Sequence, residues 1–505
     1  MNKIKHILPL LIVALLGVAH TASGQLYEQI EERNIWNESA NVTGLLRDSI
    51  TVSNAELSYS YQAGEFADFS DASSQWSAGA SAKTITHTDN LSMIGAFSFS
   101  HTAGKEMSGS MFISPNYYPV DILEFTPGDK TLQNYYFMGG LASEILPNLN
   151  LGLKGEFQSQ NYAKFKDLRH YNYRMDLTFA PSISYNIGDG VIGASYLYIK
   201  NSETVRAQEI GSASEPYSAF LDKGLMRGAY ENWEGSGVHL SESGITGFPV
   251  SQSGSGVAAQ VEYRGFFGEI EYRHLEGSIG EKQTIWYEFP SNRYTARLGY
   301  TLLRSGNIHI FSINANIHHL INCENILDDV TSNGVTTTVI YGSNQIYETS
   351  EYALTPKYLL FHNSGAQIEI GANYYNSQSQ STLMYPYVNE LSLSQIQAYA
   401  GGMLPVGKFE LRGKLLYSDG TWSDDAYSVS DQIEAGDEPT QMEEYYNIEN
   451  EYLTATYINC SLSARYNAFG NFYCEVGGAL TNAFNLKYIE GNSRWSCTFK
   501  LGYNF

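Results

Sequence analysis

The feature that most constrains the fold of this chain is a long series of segments in which apolar and polar residues alternate. A period of two residues indicates a β-strand with one apolar face. Eighteen such strands are predicted near 55–66, 74–87, 91–102, 130–143, 148–160, 171–186, 190–201, 255–264, 266–276, 289–302, 306–319, 346–360, 366–378, 391–404, 407–418, 450–466, 470–484 and 492–505.

The connections between these segments are sorted by length. Every second connection is very short, including Leu146–Pro147, Ile187–Asp189, Gly265, Arg304–Ser305, Pro405–Val406 and Asn467–Gly470. The long polar connections between them are 103–129, 202–254, 320–345 and 419–449. Transmembrane β-barrels have this arrangement, with short periplasmic turns and long extracellular loops. The sequence therefore predicts an all-β fold, a transmembrane antiparallel β-barrel of 18 strands, with 16 as the alternative count.

The last strand carries a second signal. Apolar residues occupy every second position from Trp495 to the terminal aromatic residue, and they include Phe499, Leu501, Tyr503 and Phe505. Such a strand is typical of the C-terminal signal by which the barrel-assembly machinery recognises and inserts an outer-membrane barrel. The alternative is the closing strand of a soluble sandwich.

The N-terminal residues predict secretion. Lys3 and Lys5 precede an apolar run over 7–18 that is too short to span a membrane, and small residues at 22 and 24 form a cleavage site. Residues 1–24 are thus a predicted signal peptide, which directs the chain across the inner membrane to the cell outer membrane. Residues 25–50 are a predicted periplasmic or plug segment, with a disordered tail as the alternative, and residues 51–505 form the barrel.

The composition agrees with this assignment. The chain has 39 Tyr, 23 Phe and 46 Gly but only 13 Pro, and aromatic residues, tyrosine among them, are enriched at membrane–water interfaces. The net charge of −23 disfavours nucleic acid as a partner, because nucleic-acid binding requires basic patches. Outer-membrane lipid and lipopolysaccharide are the expected surroundings.

Charged residues on the polar phase of the strands are predicted to line the pore. An Arg or Lys that faces lipid at mid-membrane costs about 2–4 kcal/mol, so these side chains must point inward. The predicted pore-lining residues are Glu262, Arg264, Glu269, Glu271, Arg273, Arg293, Arg297, Arg412, Lys414, Arg465, Glu475 and Lys500. The alternative role for each of them is a cross-strand ion pair that stiffens the wall.

Two further side-chain groups raise chemical possibilities. Asp419, Asp424 and Asp425 have oxygen ligands at spacings that could hold Ca²⁺, although a solvated acidic loop is the alternative. Cys460 and Cys474 flank a predicted turn, so a disulfide is possible in an oxidising compartment. Small apolar side chains that face lipid are the other interpretation of these cysteines.

The sequence carries no catalytic motif. His-Glu-x-x-His, Gly-x-Ser-x-Gly and the phosphate-binding loop are all absent. No catalytic residue, enzyme activity or cofactor is therefore predicted, and an enzyme at the barrel rim that hydrolyses lipid or polymer is the remaining alternative.

The segment from Asn34 to Leu45, together with the aromatic terminus, resembles an uncharacterised, porin-like family of outer-membrane β-barrels of Bacteroidota. The run Asn41-x-x-Gly44-Leu45 is also similar to the N-terminal segment of long-chain fatty-acid transporters, which have fewer strands. The resemblance implies a Gram-negative outer membrane and the barrel fold, and it supplies no substrate.

The predicted function is an outer-membrane channel or transporter for polar or charged solutes. An accessory barrel that docks a surface lipoprotein or a TonB-dependent transporter is the alternative. Whether the lumen is open or plugged is left undecided by the sequence.

Overall fold

The computed structural model describes residues 32–88, 91–208, 218–225, 230–234, 245–281, 284–332, 334–384, 387–426, 440–468 and 471–505. The predicted signal peptide lies outside these residues. The strands are β1 Val52–Gly64, β2 Ser74–His87, β3 Ser92–Ser110, β4 Asp121–Leu146, β5 Leu149–Lys164, β6 Arg169–Ile187, β7 Gly190–Gln208, β8 Ser218–Asp222, β9 Tyr230–Glu234, β10 Ile245–Tyr263, β11 Phe266–Glu281, β12 Thr284–Arg304, β13 Asn307–Ser332, β14 Val335–Phe361, β15 Gln367–Met384, β16 Tyr387–Val406, β17 Phe409–Ala426, β18 Thr456–Asn467, β19 Phe472–Phe484 and β20 Ser493–Asn504.

The strands form one closed antiparallel sheet. Each wall strand pairs with the next along the chain, and β1 pairs with β20, so that Leu57 lies opposite Leu501. β7 pairs directly with β10, because β8 and β9 form a small hairpin within the connection between them. Eighteen strands therefore make the wall, and the predicted antiparallel barrel of 18 strands is confirmed.

The strands extend further at the long-loop end than predicted. β3 and β4 continue into the predicted 103–129 loop, so that only residues 111–120 connect them. β13 and β14 continue through the predicted 320–345 loop to Ser332 and Val335. These extensions lie beyond the band of lipid-facing side chains. Apolar and polar residues therefore do not alternate regularly in them, and the sequence pattern does not predict them as strands. The prediction of a strand from residue 450 is also wrong, because residues Thr440–Thr454 form helix α1 and β18 begins at Thr456.

Helix α1 is the longest helix in the described part of the chain. None of the helices described there has both the length and the apolar character needed to cross a bilayer.

Large apolar side chains cover the outside of the barrel. Leu57, Ile270 and Val476 are 61 %, 70 % and 56 % exposed, and each lies on the strand phase opposite to the charged residues. A folded monomer in water rarely exposes an apolar band that encircles it. The outer surface is therefore suited to hydrocarbon, as the alternation predicts.

We predict that Ile270→Arg destabilises the barrel in lipid by about 2–4 kcal/mol, because the new charge would face hydrocarbon. Urea unfolding in lipid vesicles measures the change. Ile326→Arg is the matched control, since Ile326 is 50 % exposed on the part of β13 beyond its last residue pair with β12, Tyr287 with Glu324. Equal effects of the two substitutions would contradict the assignment of the apolar band to lipid.

Candidate transport lumen

Residues 32–50, here called the inner plug, lie against the inside of the wall before β1 begins. They form two short 3₁₀ helices, Ile35–Glu38 and Val42–Arg47. The side chains of Asn34 and Asn41 cap these helices by accepting hydrogen bonds from the backbone N–H groups of Trp36 and Thr43. The extended backbone and the cap at Asn34 fix the start of the first of these helices at Ile35. Residues 25–31 of the predicted plug segment lie outside the described residues.

Polar side chains of the wall hold the inner plug in place. The buried Trp36 donates a hydrogen bond from Nε1 to Glu262 Oε2 at 2.6 Å, and its ring meets Phe267 edge to face. Arg47 forms an ion pair with the same carboxylate at 3.1 Å. Ser39 donates to the buried Glu269. Two predicted lumen glutamates therefore serve to bind the plug.

Glycines of the wall make room for the plug side chains. A Cβ atom on Gly152 of β5 would lie 2.6 Å from Val42 Cγ1, and one on Gly140 of β4 would lie 2.8 Å from Val42 Cγ2. Gly193 of β7 leaves the same kind of space for Asn41. Asn41 is fully buried and donates hydrogen bonds to the carbonyl of Ile183 and to Gln260. The wall and the plug are thus complementary in shape and in hydrogen bonding.

The other end of the lumen is filled by the outer closure, which consists of loop 111–120, strand β8 and helix α1. Apolar side chains of these three parts pack against inward-facing residues of the wall. The first cluster joins Met111, Phe112, Tyr118, Ala219 and Leu221 to wall residues that include Phe248, Tyr287 and Phe289. The second cluster joins Met442, Tyr445 and Tyr446 of α1 to Leu123, Phe220, Leu391 and Leu393. The lumen at this end is therefore a packed apolar core.

Two carboxyl groups, the buried Glu449 and the partly buried Asp68, lie where α1 meets the loops. Glu449 accepts a hydrogen bond from Asn116 of loop 111–120, and burial, with the charge of Asp68 beside it, holds its pKa well above its usual range. Burial and the neighbouring Asp71 raise the pKa of Asp68 to about 6. These two carboxyl groups beside α1 therefore bind protons more tightly in the folded protein than in the unfolded chain.

The predicted pore-lining residues fall into two groups. Arg264 lies in the turn between β10 and β11, is exposed, and forms an ion pair with Asp189 of the neighbouring turn at 3.3 Å. Its predicted position in the lumen is therefore wrong, because β10 ends one residue earlier, at Tyr263. The other predicted residues lie on the inward phase of their strands: Glu262, Glu269, Glu271, Arg273, Arg293, Arg297, Arg412, Lys414, Arg465, Glu475 and Lys500.

Many of these inward charges are paired with one another. Arg465 contacts Glu475 across β18 and β19 at 2.7 Å. The other pairs between strands are Arg297 with Glu269, Lys414 with Glu369 at 3.6 Å, and Lys500 with Glu56 at 3.4 Å. Arg412 lies 3.9 Å from Glu410 of its own strand. This is the geometry of the ion-pair alternative, and a role in solute selection stays a prediction.

Space remains in the lumen between and beside the two closures. A cavity of about 380 Å³ follows the wall from β14 to β20, where small inward residues such as Gly401, Ser461, Gly477 and Thr498 leave it open. A second cavity of about 210 Å³ lies between the inner plug and strands β5, β6, β7, β11 and β12. The structure therefore has water-accessible volume inside, together with barriers at both ends.

The cysteines do not form the disulfide that the turn suggested. The register of β18 and β19 places Cys460 opposite Leu480 and Cys474 opposite Tyr466. The two cysteines are thus offset by six positions, about 20 Å along the strands, and all four cysteines are free thiols.

The proposed calcium ligands lie on an extended strand and not in a loop. Asp424 and Asp425 are neighbours on β17 and point to opposite faces, while Asp419 is about 17 Å away. Asp419 accepts a hydrogen bond from Thr456 at 2.7 Å. Among the described residues, no three His, Cys, Asp or Glu side chains lie close enough to hold a metal ion.

The residues of the predicted insertion signal lie at the seam of the barrel. Phe499 and Leu501 point outward from β20, which pairs with β1. Tyr503 packs against Phe472, and the ring of Phe505 contacts the ring of Tyr503 in an edge-to-face arrangement. Recognition by the assembly machinery stays a prediction.

We predict that Gly152→Val displaces the inner plug, because its side chain would occupy the space of Val42 and approach the backbone of Thr43. Hydrogen exchange of the backbone amides of residues 42–47 should accelerate, and the compensating substitution Val42→Gly should restore part of the protection. Gly155→Val is the control, since a Cβ there meets nothing within 4 Å. Unchanged protection in Gly152→Val would contradict the described docking.

We also predict that the outer closure weakens as the pH rises. Asp68 and Glu449 bind protons more tightly in the folded state, so their contribution to stability is complete below about pH 4 and is lost as the pH rises through the folded pKa of each group, which for Asp68 is about 6. Hydrogen exchange of α1, corrected for the intrinsic pH dependence, measures this change. The Asp68→Asn, Glu449→Gln double variant should show a flatter profile, and an unaltered profile would refute the assignment.

Comparison with known proteins places the chain by family and by fold. No curated protein matches it. Among solved structures, the ferric preacinetobactin receptor BauA from Acinetobacter baumannii is 9 % identical with a TM-score of 0.41, and the match covers 91 % of this chain and 80 % of that one. The ferric citrate transporter FecA is 7 % identical (TM-score 0.41, 90 % and 78 % covered), and the copper transporter OprC 6 % (0.41, 90 % and 80 %). At these values the likeness is one of large β-barrels only.

The sequence match is more extensive. Residues 42–505 match a single family, which begins within the inner plug and includes the whole wall. This confirms the predicted membership of an uncharacterised family, while the Bacteroidota origin stays a prediction. The chain belongs to DUF6850, a family of unknown function.

Proposed function

We propose that this protein is a gated transport barrel of the outer membrane for polar or charged solutes. The apolar outer surface supports insertion into a membrane, and the predicted signal peptide supports export across the inner one. The charged inner wall supports a hydrophilic solute, because apolar solutes gain nothing from a lumen lined by Arg, Lys and Glu.

The observation that carries this proposal is that two separate parts of the chain close the same lumen and leave space between them. A wall of eighteen strands encloses a cross-section that its own side chains cannot fill. A barrel with a purely structural role would need only a filled interior. Here the interior is blocked near its ends and open in part along β14–β20, which suits a path with a gate at each end.

The two closures differ in how they are held. The inner plug depends on hydrogen bonds and ion pairs to Glu262 and Glu269, which water or a charged solute can replace. The outer closure depends on apolar packing of loop 111–120, β8 and α1, which must move as a unit. The inner plug is therefore the gate that opens more easily.

One observation favours docking as a second candidate function. β13 and β14 continue as a two-stranded ribbon beyond the pairing limits of their neighbours at Glu324 and Tyr347. The ribbon exposes Ile326, Ile340 and Tyr341, and no strand in the described part of the chain pairs with either of its edges. Exposed strand edges with apolar side chains are templates for a partner strand, which suits a surface lipoprotein or another barrel.

We predict that conductance in planar bilayers rises stepwise as the closures are removed. Wild-type protein should conduct least. Deletion of residues 25–50, and separately replacement of residues 427–454 by a short Gly-Ser linker, should each raise the conductance, and the combined variant should conduct most. Each removes part of a barrier to water and ions.

The Gly155→Val variant serves as a control for mutation of the wall without loss of a closure, and heat-dependent mobility in detergent gels verifies that every barrel is folded. A folded combined variant that does not conduct would contradict the transport function. It would favour the docking function instead.

A further inference from the structure

We propose that Arg273 and Arg293 form an anion-binding site at mid-lumen that takes the carboxylate or phosphate group of a small solute. The substrate class rests on the transport function proposed above. The site itself rests on the strand register, the ion pairs around the two arginines and their position in the lumen.

The two arginines are direct neighbours on adjacent strands. The register pairs Arg273 of β11 with Arg293 of β12, and both lie on the inward phase, the same phase as Glu271 and Thr295. Side chains at directly opposed positions have Cβ atoms about 4.5–5.5 Å apart, and like charges placed there destabilise a sheet. Wall stiffening by ion pairs therefore does not explain this pair.

The two opposed arginines make few hydrogen bonds. Arg273 donates from Nε to Glu271 at 2.6 Å, while no described residue accepts a hydrogen bond from its terminal amino groups. Arg293 forms no hydrogen bond or ion pair with any residue in the described part of the chain. The third arginine, Arg297, is paired with Glu269 and lies 4.0 Å from Glu271. The opposed pair therefore keeps N–H donors that a ligand can use.

The carboxylates near the site have other partners as well. Glu351 lies close enough to Arg293 for their charges to interact, and its Oε2 is also 3.1 Å from Nδ1 of His318. Across the cavity that Arg273 and Arg297 line, Lys154 is paired with Glu156 at 2.7 Å. Glu38 of the inner plug lies 3.5 Å from Lys357. The guanidinium N–H groups without an acceptor are therefore those of the two opposed arginines, among the described residues around this site.

The position of the pair is suited to a solute in transit. On the periplasmic side, residues 38–40 of the inner plug border the same cavity of about 210 Å³. On the other side, Tyr117 of the outer closure is close enough for the charge of Arg293 to act on its hydroxyl group, and the Arg174 guanidinium lies 3.9 Å from the centre of the Tyr117 ring. The site thus lies between the two gates, where a bound anion would be shielded from bulk water.

The chemistry of the side chains identifies the ligand. A guanidinium group presents parallel N–H donors that match the two oxygens of a carboxylate or phosphate. Glu271 Oε2, buried and without a hydrogen-bond partner, lies at the same cavity and could accept a hydroxyl or ammonium hydrogen of the solute. The cavity has the volume of about seven liquid water molecules, so the group that enters it is small.

The test is isothermal titration of the purified full-length protein in detergent, with inorganic phosphate and acetate as separate probes and chloride as the background anion. Arg293→Gln and Arg273→Gln should each weaken binding about tenfold or more, because a hydrogen bond to a charged group is lost. The affinity of Arg293→Lys should lie between that of the Gln variants and that of the wild type, since lysine keeps the positive charge but lacks the two parallel N–H donors of a guanidinium group. Arg264→Gln is the matched control, because Arg264 lies outside the lumen.

Wild-type-like binding by both Gln variants would overturn the proposal, and so would the absence of saturable binding to wild-type protein with either probe. If a Gln variant does not fold, Arg293→Lys still tests the proposal, because an affinity equal to that of the wild type would exclude bidentate binding by the guanidinium group. Titration does not depend on conduction, so the two proposals can fail separately. A barrel that binds the anion but never conducts would refute the transport function and support the anion site. A barrel that conducts but does not bind the anion would support transport and refute the site.

Discussion

The structure depends on the pairing of β1 with β20. In hydrocarbon no water is available to satisfy backbone N–H and C=O groups, so a sheet that spans a membrane must close on itself. Closure from Asn54–Asn504 to Gly64–Arg494 leaves no unpaired edge within the band of apolar side chains. Every other property follows from this ring: one face of each strand must be apolar, and the other must face whatever the ring encloses.

The interior of the closed barrel is filled by parts of the chain outside the wall. Eighteen strands make an interior too wide for wall side chains alone, and the chain fills it with two different kinds of contact. The inner plug fits by hydrogen bonds and by wall glycines such as Gly152 and Gly193. The outer closure fits as the core of a soluble protein does, through clusters centred on side chains such as Phe112 and Tyr445. The same barrel therefore combines a polar seal with an apolar one.

The sequence predicts the wall well because lipid imposes a strict period of two on each strand that it touches. It predicts the strands above the membrane poorly, because there the contacts inside are made by other loops and no lipid selects the outer face; β13 and β14 beyond residue 320 are the clearest case. The end of helix α1 falls within the strand predicted from residue 450, because the buried residues that stabilise the helix, Met442, Tyr445 and Tyr446, contact loops that lie far away in sequence. The cysteine pairing failed for a related reason, because a turn fixes register only when its centre is known.

The sequence predicts which charged side chains face inward, but not which of them form ion pairs. The alternation with a period of two places Arg273, Arg293 and Arg297 on the inner face. The register between the strands decides which of these arginines contacts Glu269 or Glu271. The register places Arg293 directly opposite Arg273, in a chain of net charge −23 where an anion would otherwise be repelled. Two opposed guanidinium groups cost stability, because like charges at directly opposed positions destabilise a sheet. A solute anion that binds both groups would remove that cost and, by contact with residues beside the plug and Tyr117, would connect its own binding to the movement of both proposed gates.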